Sequence, residues 1–200
     1  NYIRPADGEA FYYRGAALKA QGRLEKAFQA FQKAAWSEAW RTRAVQAIAE
    51  IHCARGEFTS AREALSHGLA GSPSDARGAC LRAAISRHLG DRRDAMIWAN
   101  LAHQADPFDT LAWNELALER RMGETDEPYN QTVAELRQVM RGDVQSHLEL
   151  ATEYERLGLW EEAIEVLQRV VNPRYQDAQP LPLYHLAYCT ERTGTAEEAS

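Results

Sequence analysis

The amino-acid sequence predicts an all-α solenoid, a stack of two-helix units, and three observations carry that prediction. Alanine supplies 34 of the 200 residues against only 7 Pro. Ala is the best helix former and takes little room, so a chain rich in it can be helical with closely approaching backbones. Glycines recur at Gly22, Gly56 and Gly90, each 34 residues apart, and Gly158 follows 68 residues later. A fixed period of that length is the mark of a repeat architecture. Runs of β-branched residues are few, and no apolar stretch approaches 18 residues, so neither a strand-built core nor a membrane-spanning helix is expected.

Other residue classes keep the same period. Ala27, Ala61 and Ala95 each stand five residues after a glycine, Ala34, Gly68 and Ala102 hold a further small position, and Pro73 and Pro107 are also in register. In the first unit Phe11, Gly15 and Leu18 mark one helical face, Gly22 ends the helix, and Leu24, Ala27, Phe28, Phe31 and Ala34 mark a second. The second unit repeats this with Val45, Ile48 and Ala49, then Gly56, then Phe58, Ala61 and Leu65. The third has Ala79, Ala83 and Leu89, then Gly90, then Ala95, Ala99 and Ala102. The connections ending in Asp75 and Asp109 stop one helix and cap the next.

The fourth unit carries Trp113, Leu116 and Ala117 but has Gly123 one residue early and Tyr129 in place of the alanine. Its second helix is expected to start near Pro128 and to pack through Val133, Leu136 and Met140. The fifth has Leu150, Ala151, Tyr154, Gly158, Ala163 and Leu167, and the sixth has Leu183, Leu186, Ala187 and Gly194. The step from Gly158 to Gly194 is 36, the extra length falling in the stretch from Asn172 to Asp177. The expected units are about 8–41, 42–75, 76–109, 110–143, 144–179 and an incomplete 180–200, forming a single solenoid over residues 1–200. The start at Asn1 and the unfinished sixth unit lead to the expectation of a longer parent protein.

The pattern of an aromatic, Leu–small and Tyr in one helix, then Ala, an aromatic and Ala in the next, resembles the tetratricopeptide repeat family. Phe11, Gly15, Gly22, Ala27, Phe31 and Ala34 carry it in unit one, which departs at Arg14, where Leu is usual. The resemblance covers nearly the whole chain and implies a right-handed α–α superhelix of about five and a half repeats. It also implies a non-enzymatic protein-interaction role, with first-helix residues at unit positions 2, 5, 9, 12 and 13 lining a concave face.

Those positions give Arg43, Gln46, Glu50 and Cys53 in unit two, and Arg77, Cys80, Arg87 and His88 in unit three. They give Asn114, Leu118, Arg121 and Met122 in unit four, Thr152, Glu155 and Arg156 in unit five, and Tyr184, Tyr188 and Arg192 in unit six, with Tyr12 and Lys19 in unit one. The partner-binding set expected from them is Arg43, Gln46, Arg77, Arg87, His88, Asn114, Arg121, Arg156, Tyr184 and Tyr188. Arginine forks suit carboxylates, so a positive mid-groove and an extended or helical acidic segment are expected, with Arg77, Arg87 and Arg121 holding it. Residues 1–41 sum to +3 and residues 144–200 to −6, the acidic residues of the latter being assigned mostly to outer positions. The chaperone-binding members hold a terminal carboxylate with Lys and Asn at positions 5 and 9. Here the pairs are Tyr12/Ala16, Gln46/Glu50, Cys80/Ala84 and Asn114/Leu118, so that clamp is absent.

Other classes of function find no support in the residues. The net charge of −6 argues against general nucleic-acid binding. Cys53, Cys80 and Cys189 are odd in number and widely spaced, so free thiols and a cytoplasmic setting are expected. The six His lack metal-site spacing, no cofactor motif is present, and no catalytic group can be assembled. Glu161–Glu162 and Glu197–Glu198 fall in first turns, where acids complement the helix dipole. Two alternatives stand beside the scaffold. The stretches Asp109–Leu118 and Glu149–Leu167 weakly resemble the C-terminal arrays of large bacterial carbohydrate-associated proteins, which implies an arm docking on its own β-rich domain. Self-association through the unfinished ends, or through exposed Trp36, Trp40 and Trp98, is the other.

Overall fold

The computed structural model describes residues 5–69, 75–121, 125–171 and 180–197. Among them the chain forms helices alone: α1 (Pro5–Ala20), α2 (Leu24–Ala34), α3 (Glu38–Ala54), α4 (Phe58–Leu69), α5 (Ala76–His88), α6 (Arg92–Ala105), α7 (Thr110–Arg121), α8 (Glu127–Val139), α9 (Val144–Arg156), α10 (Trp160–Gln168) and α11 (Pro180–Glu197). Odd-numbered helices form the inner row, and each packs on its even-numbered partner in the outer row.

The turns follow from the glycines. Gly22, Gly56, Gly90 and Gly158 all take φ between 71° and 73°, the left-handed conformation that only glycine adopts without strain. In the first, Gly22 N–H donates to Lys19 C=O at 2.9 Å and Arg23 N–H to Leu18 C=O at 2.9 Å, and the same pair of bonds recurs at the other three. This closes the orphan carbonyls of each inner helix and aims the chain into the outer one. Ala27, Ala61, Ala95 and Ala163, five residues on, are all fully buried at the helix crossings. Asp75, Asp91 and Asp143 cap α5, α6 and α9 by accepting backbone N–H bonds, as the sequence leads one to expect for Asp75. Pro128 lies in the first turn of α8, and Leu136 and Met140 bury its packing face.

Two features depart from the expected regularity. Gly194 lies inside α11, which runs to Glu197 without a left-handed turn, whereas the period placed a helix end there. Glycine permits such a turn but does not impose one. Residues 122–124, where Gly123 falls, lie outside the described residues, as do Asn172–Asp177.

The second departure is larger. Outer helices α2, α4, α6 and α10 each pack on the inner helix that follows, but α8 makes at most a marginal contact with α9. At that junction Arg141 takes φ 54° and Gly142 φ 64°, whereas the α2–α3 and α6–α7 connections hold no left-handed residue. Two successive left-handed residues turn the chain sharply and set the fifth unit against the inner face of its predecessors. The turn at Gly158 reaches the end of α3: a Cβ on Gly158 would stand 2.8 Å from the backbone of Ala54. One apolar core accordingly joins α3 through α11, including Cys53, Leu81, Leu150, Tyr154 and Cys189.

Candidate partner-binding site

The concave face is the place to seek a partner, and its two halves differ. On α5, residues Arg77, Cys80, Ala84 and Arg87 lie at helical spacing on one side. The α9–α10 unit covers that side. Arg77 pairs with Glu153 of α9 and also with Glu50 of α3 at 2.9 Å. Arg87 gives two bonds to Glu115 of α7, at 3.1 and 3.2 Å, and a third to Glu162 of α10 at 2.7 Å. His88 shares the same Glu162 oxygen at 2.8 Å and stacks flat on Phe58. Cys80 and Ala84, between the two arginines, are buried.

The inner side of α7 is closed in the same way, with Asn114, Glu115 and Leu118 all buried. The Tyr154 hydroxyl of α9 donates to Glu115 at 2.8 Å and accepts from the Asn114 amide at 2.8 Å, while Arg169 donates to the Asn114 carbonyl at 2.8 Å. Glu165 of α10 gathers Arg121 at 2.6 Å, the Tyr129 hydroxyl at 2.6 Å and Arg169 at 2.9 Å.

The protonation behaviour follows from these partners. Burial alone would lift the Glu162 carboxyl, but the His88 hydrogen bond and the Arg87 and His88 charges bring it down to about 2. Burial also opposes ionisation of Glu50 and Glu165, and their cationic partners hold both below the usual range. Burial works against the charges of Arg77 and Arg87, yet the facing carboxylates keep both well above the ordinary arginine value.

Four of the ten expected site residues, Arg87, His88, Asn114 and Arg121, are linked by hydrogen bonds through Glu115, Glu162, Tyr154, Arg169 and Glu165. Arg77 pairs separately with Glu50 and Glu153, and Arg156 shares Glu153. Arg156 is exposed beside Glu153. Tyr184 is exposed on α11 against His185, and Tyr188 packs on Trp160. Gln46 donates to Asp75. Arg43 is exposed, lies over the Trp40 ring at 5.5 Å, and has no carboxylate partner among the described residues.

The expectation of a positive mid-groove is thereby corrected. Its arginines are neutralised by the chain's own Glu50, Glu115, Glu153, Glu162 and Glu165. The carboxylates of unit five, expected mostly on outer positions, face inward: Glu153, Glu162 and Glu165 pair with Arg77, Arg87 and Arg121. Sequence reasoning missed Glu115, Glu153, Glu162 and Glu165 because each sits where a solvated or dipole-complementing acid is ordinary.

The N-terminal half of the concave face is open. A depression of about 660 Å³ lies between the first three inner helices, lined by Tyr12, Thr42, Arg43, Gln46, Glu50 and Arg77. Tyr12 and Tyr13 form an aromatic group with Trp40 at its edge, with ring centroids 5.0 to 5.7 Å apart. Trp36 is exposed, whereas Trp98 donates to Asp94 and packs against the core. Among the described residues no three His, Cys, Asp or Glu side chains converge as a metal site requires, and no helix is long and apolar enough to cross a membrane.

Comparison with known proteins gives the chain its relatives. Residues 18–85 match the tetratricopeptide repeat family. Among solved structures the chain is similar to MamA, with a TM-score of 0.61 at 15% identity over 84% of this chain and 92% of that one. It is similar to TTC0263, a thermophilic TPR protein of Thermus thermophilus, with a TM-score of 0.60 at 17% identity over 92% of this chain and 98% of that one. It is also similar to the first TPR of Spaghetti (RPAP3) bound to the HSP90 peptide SRMEEVD, with a TM-score of 0.56 at 16% identity over 60% of this chain and 94% of that one. No curated protein matches the chain.

Proposed function

We propose that this chain, which matches the tetratricopeptide repeat family over residues 18–85 and shares the fold of such arrays, is a protein-interaction scaffold that holds an extended or helical acidic segment on its concave face. The observation that carries this reading is Arg43. It stands exposed on an open depression beside Tyr12 and Gln46, and no carboxylate of the described chain engages it. A guanidinium fork presented to a groove suits a carboxylate. The neighbouring aromatic group of Tyr12, Tyr13 and Trp40 adds area for the apolar residues of the same segment. One structural neighbour holds an acidic peptide. The clamp positions of this chain differ, so the acidic segment engages other residues here.

A fluorescein-labelled ten-residue poly-glutamate peptide tests the reading by anisotropy at low salt. Arg43→Ala is expected to weaken binding about tenfold or more, the effect of losing a charge-assisted hydrogen bond. Affinity equal to wild type, or equal affinity for an uncharged peptide of the same length, would count against it.

A further inference from the structure

Four independent observations bear on the covered half of the concave face. The α8–α9 junction breaks the regular packing with two left-handed residues. Glu153, Glu162 and Glu165 of unit five occupy Arg77, Arg87 with His88, and Arg121, across separations of 76, 75 and 44 residues. Asn114, Glu115 and Leu118 on α7 and Cys80 and Ala84 on α5, residues of a face that opens to solvent in a regular array, are buried. The Gly158 turn touches the α3 terminus so closely that a single methyl group would collide with it. We infer that unit five is an intramolecular occupant of the α5–α7 groove, and that an acidic segment of a partner reaches Arg77, Arg87 and Arg121 by displacing it.

The chemistry of the exchange is symmetrical. Unit five presents three carboxylates to three arginines, and the incoming segment presents the same groups at the same forks. The three ion pairs across the groove lie beside an apolar seam, in which Tyr154 and Leu157 share a core with Cys53 and Leu81. The ion pairs exchange for equivalent ones with little net change, so the apolar part of the seam sets the cost of displacement. Helix α11 goes with unit five, because it packs on α10 and α9, and its Cys189 thiol donates to Glu155. The inference rests on the acidic-segment reading above for its ligand, but the closure itself does not.

The cysteines report the closure without added labels. Cys53 lines the crevice that the Gly158–Glu162 turn covers, Cys80 lies between Arg77 and Arg87, and Cys189 lies within the moving body. Burial pushes the Cys53 and Cys189 thiols up to about 12 and raises Cys80 as well, so all three react slowly while buried. The variant is Gly158→Ala, whose Cβ collides with Ala54. Its control is Gly90→Ala, which has the same left-handed φ and nothing within 4 Å of the added Cβ. Pulsed alkylation with iodoacetamide, read cysteine by cysteine by mass spectrometry, is expected to show Cys53 and Cys80 modified about tenfold faster in Gly158→Ala than in Gly90→Ala, with Cys189 unchanged.

Equal rates in the two variants, or all three cysteines rising together, would overturn the closure. The triple variant Glu153→Gln, Glu162→Gln, Glu165→Gln is judged by the same ratio of rates. In a second arm the poly-glutamate peptide is titrated into the wild type. A saturable rise in Cys53 alkylation supports displacement. Peptide that binds while Cys53 stays protected overturns displacement, and peptide that binds neither wild type nor Gly158→Ala overturns the acidic-segment reading while the closure stands on the first arm.

Discussion

Among the described residues, both carboxylate oxygens of Glu119 are buried on α7 without a hydrogen-bond partner. Burial pushes its carboxyl above the ordinary range, Arg87 opposes the shift and Glu115 adds to it. A carboxylate whose folded-state value is raised costs stability above its unfolded value, and the cost disappears on acidification. Glu119→Met should therefore stabilise the chain by about 1–3 kcal/mol at neutral pH, since an unsatisfied buried group is removed. The gain should shrink toward pH 4. Urea midpoints at the two pH values measure it, and a gain that grows on acidification contradicts the assignment. Glu162 behaves in the opposite sense. Its folded value of about 2 lies below the ordinary 4.5, so its pairing with Arg87 and His88 contributes stability above pH 4.5 that is lost as pH falls toward 2. The wild type should lose stability through that window more steeply than Glu162→Gln does, as urea midpoints recorded across it would show.

At the scale of the element, the recurring alanines are the contacts that set the distance between helices. Ala95 is fully buried where α6 crosses its neighbours, so Ala95→Leu should cost roughly 1–3 kcal/mol through overpacking. An unchanged urea midpoint would show that the crossing has room. The helices and their turns were legible in the sequence because their determinants are local. Glycine spacing marks the left-handed turns, alanine spacing the crossings, and aspartates such as Asp75 the caps. The α8–α9 junction was not legible. Arginine carries no preference for a left-handed backbone, so nothing at Arg141 announces φ 54°. Gly194 misled for the converse reason, since it matches the period yet stays helical.

For the whole molecule, the repeat period tells which helix follows which but not the angle at which a unit meets the last. Along the inner row Arg77 of α5 pairs with Glu50 of α3, Arg87 pairs with Glu115 of α7, and Asn114 bonds Tyr154 and Arg169. What covers Arg77, Arg87 and Asn114 depends on long-range pairing between residues 39 to 76 positions apart. No local pattern encodes such pairing. The concave face is consequently divided, with Arg43 and Tyr12 on an open depression and Arg77, Arg87 and Arg121 paired with carboxylates of the chain itself.

The turn of Arg141 and Gly142 has a quantitative consequence for competition. It joins α9 to α8 with a short connection, so the unit-five carboxylates are held in the same chain as the arginines they face, at an effective concentration on the order of millimolar. A single carboxylate in solution must outcompete that local supply at every fork. A segment bearing several carboxylates at matching spacing competes once for all of them. Under the displacement proposed above, the tether sets a threshold on valency: an acidic partner is selected by how many charges it presents together rather than by charge itself.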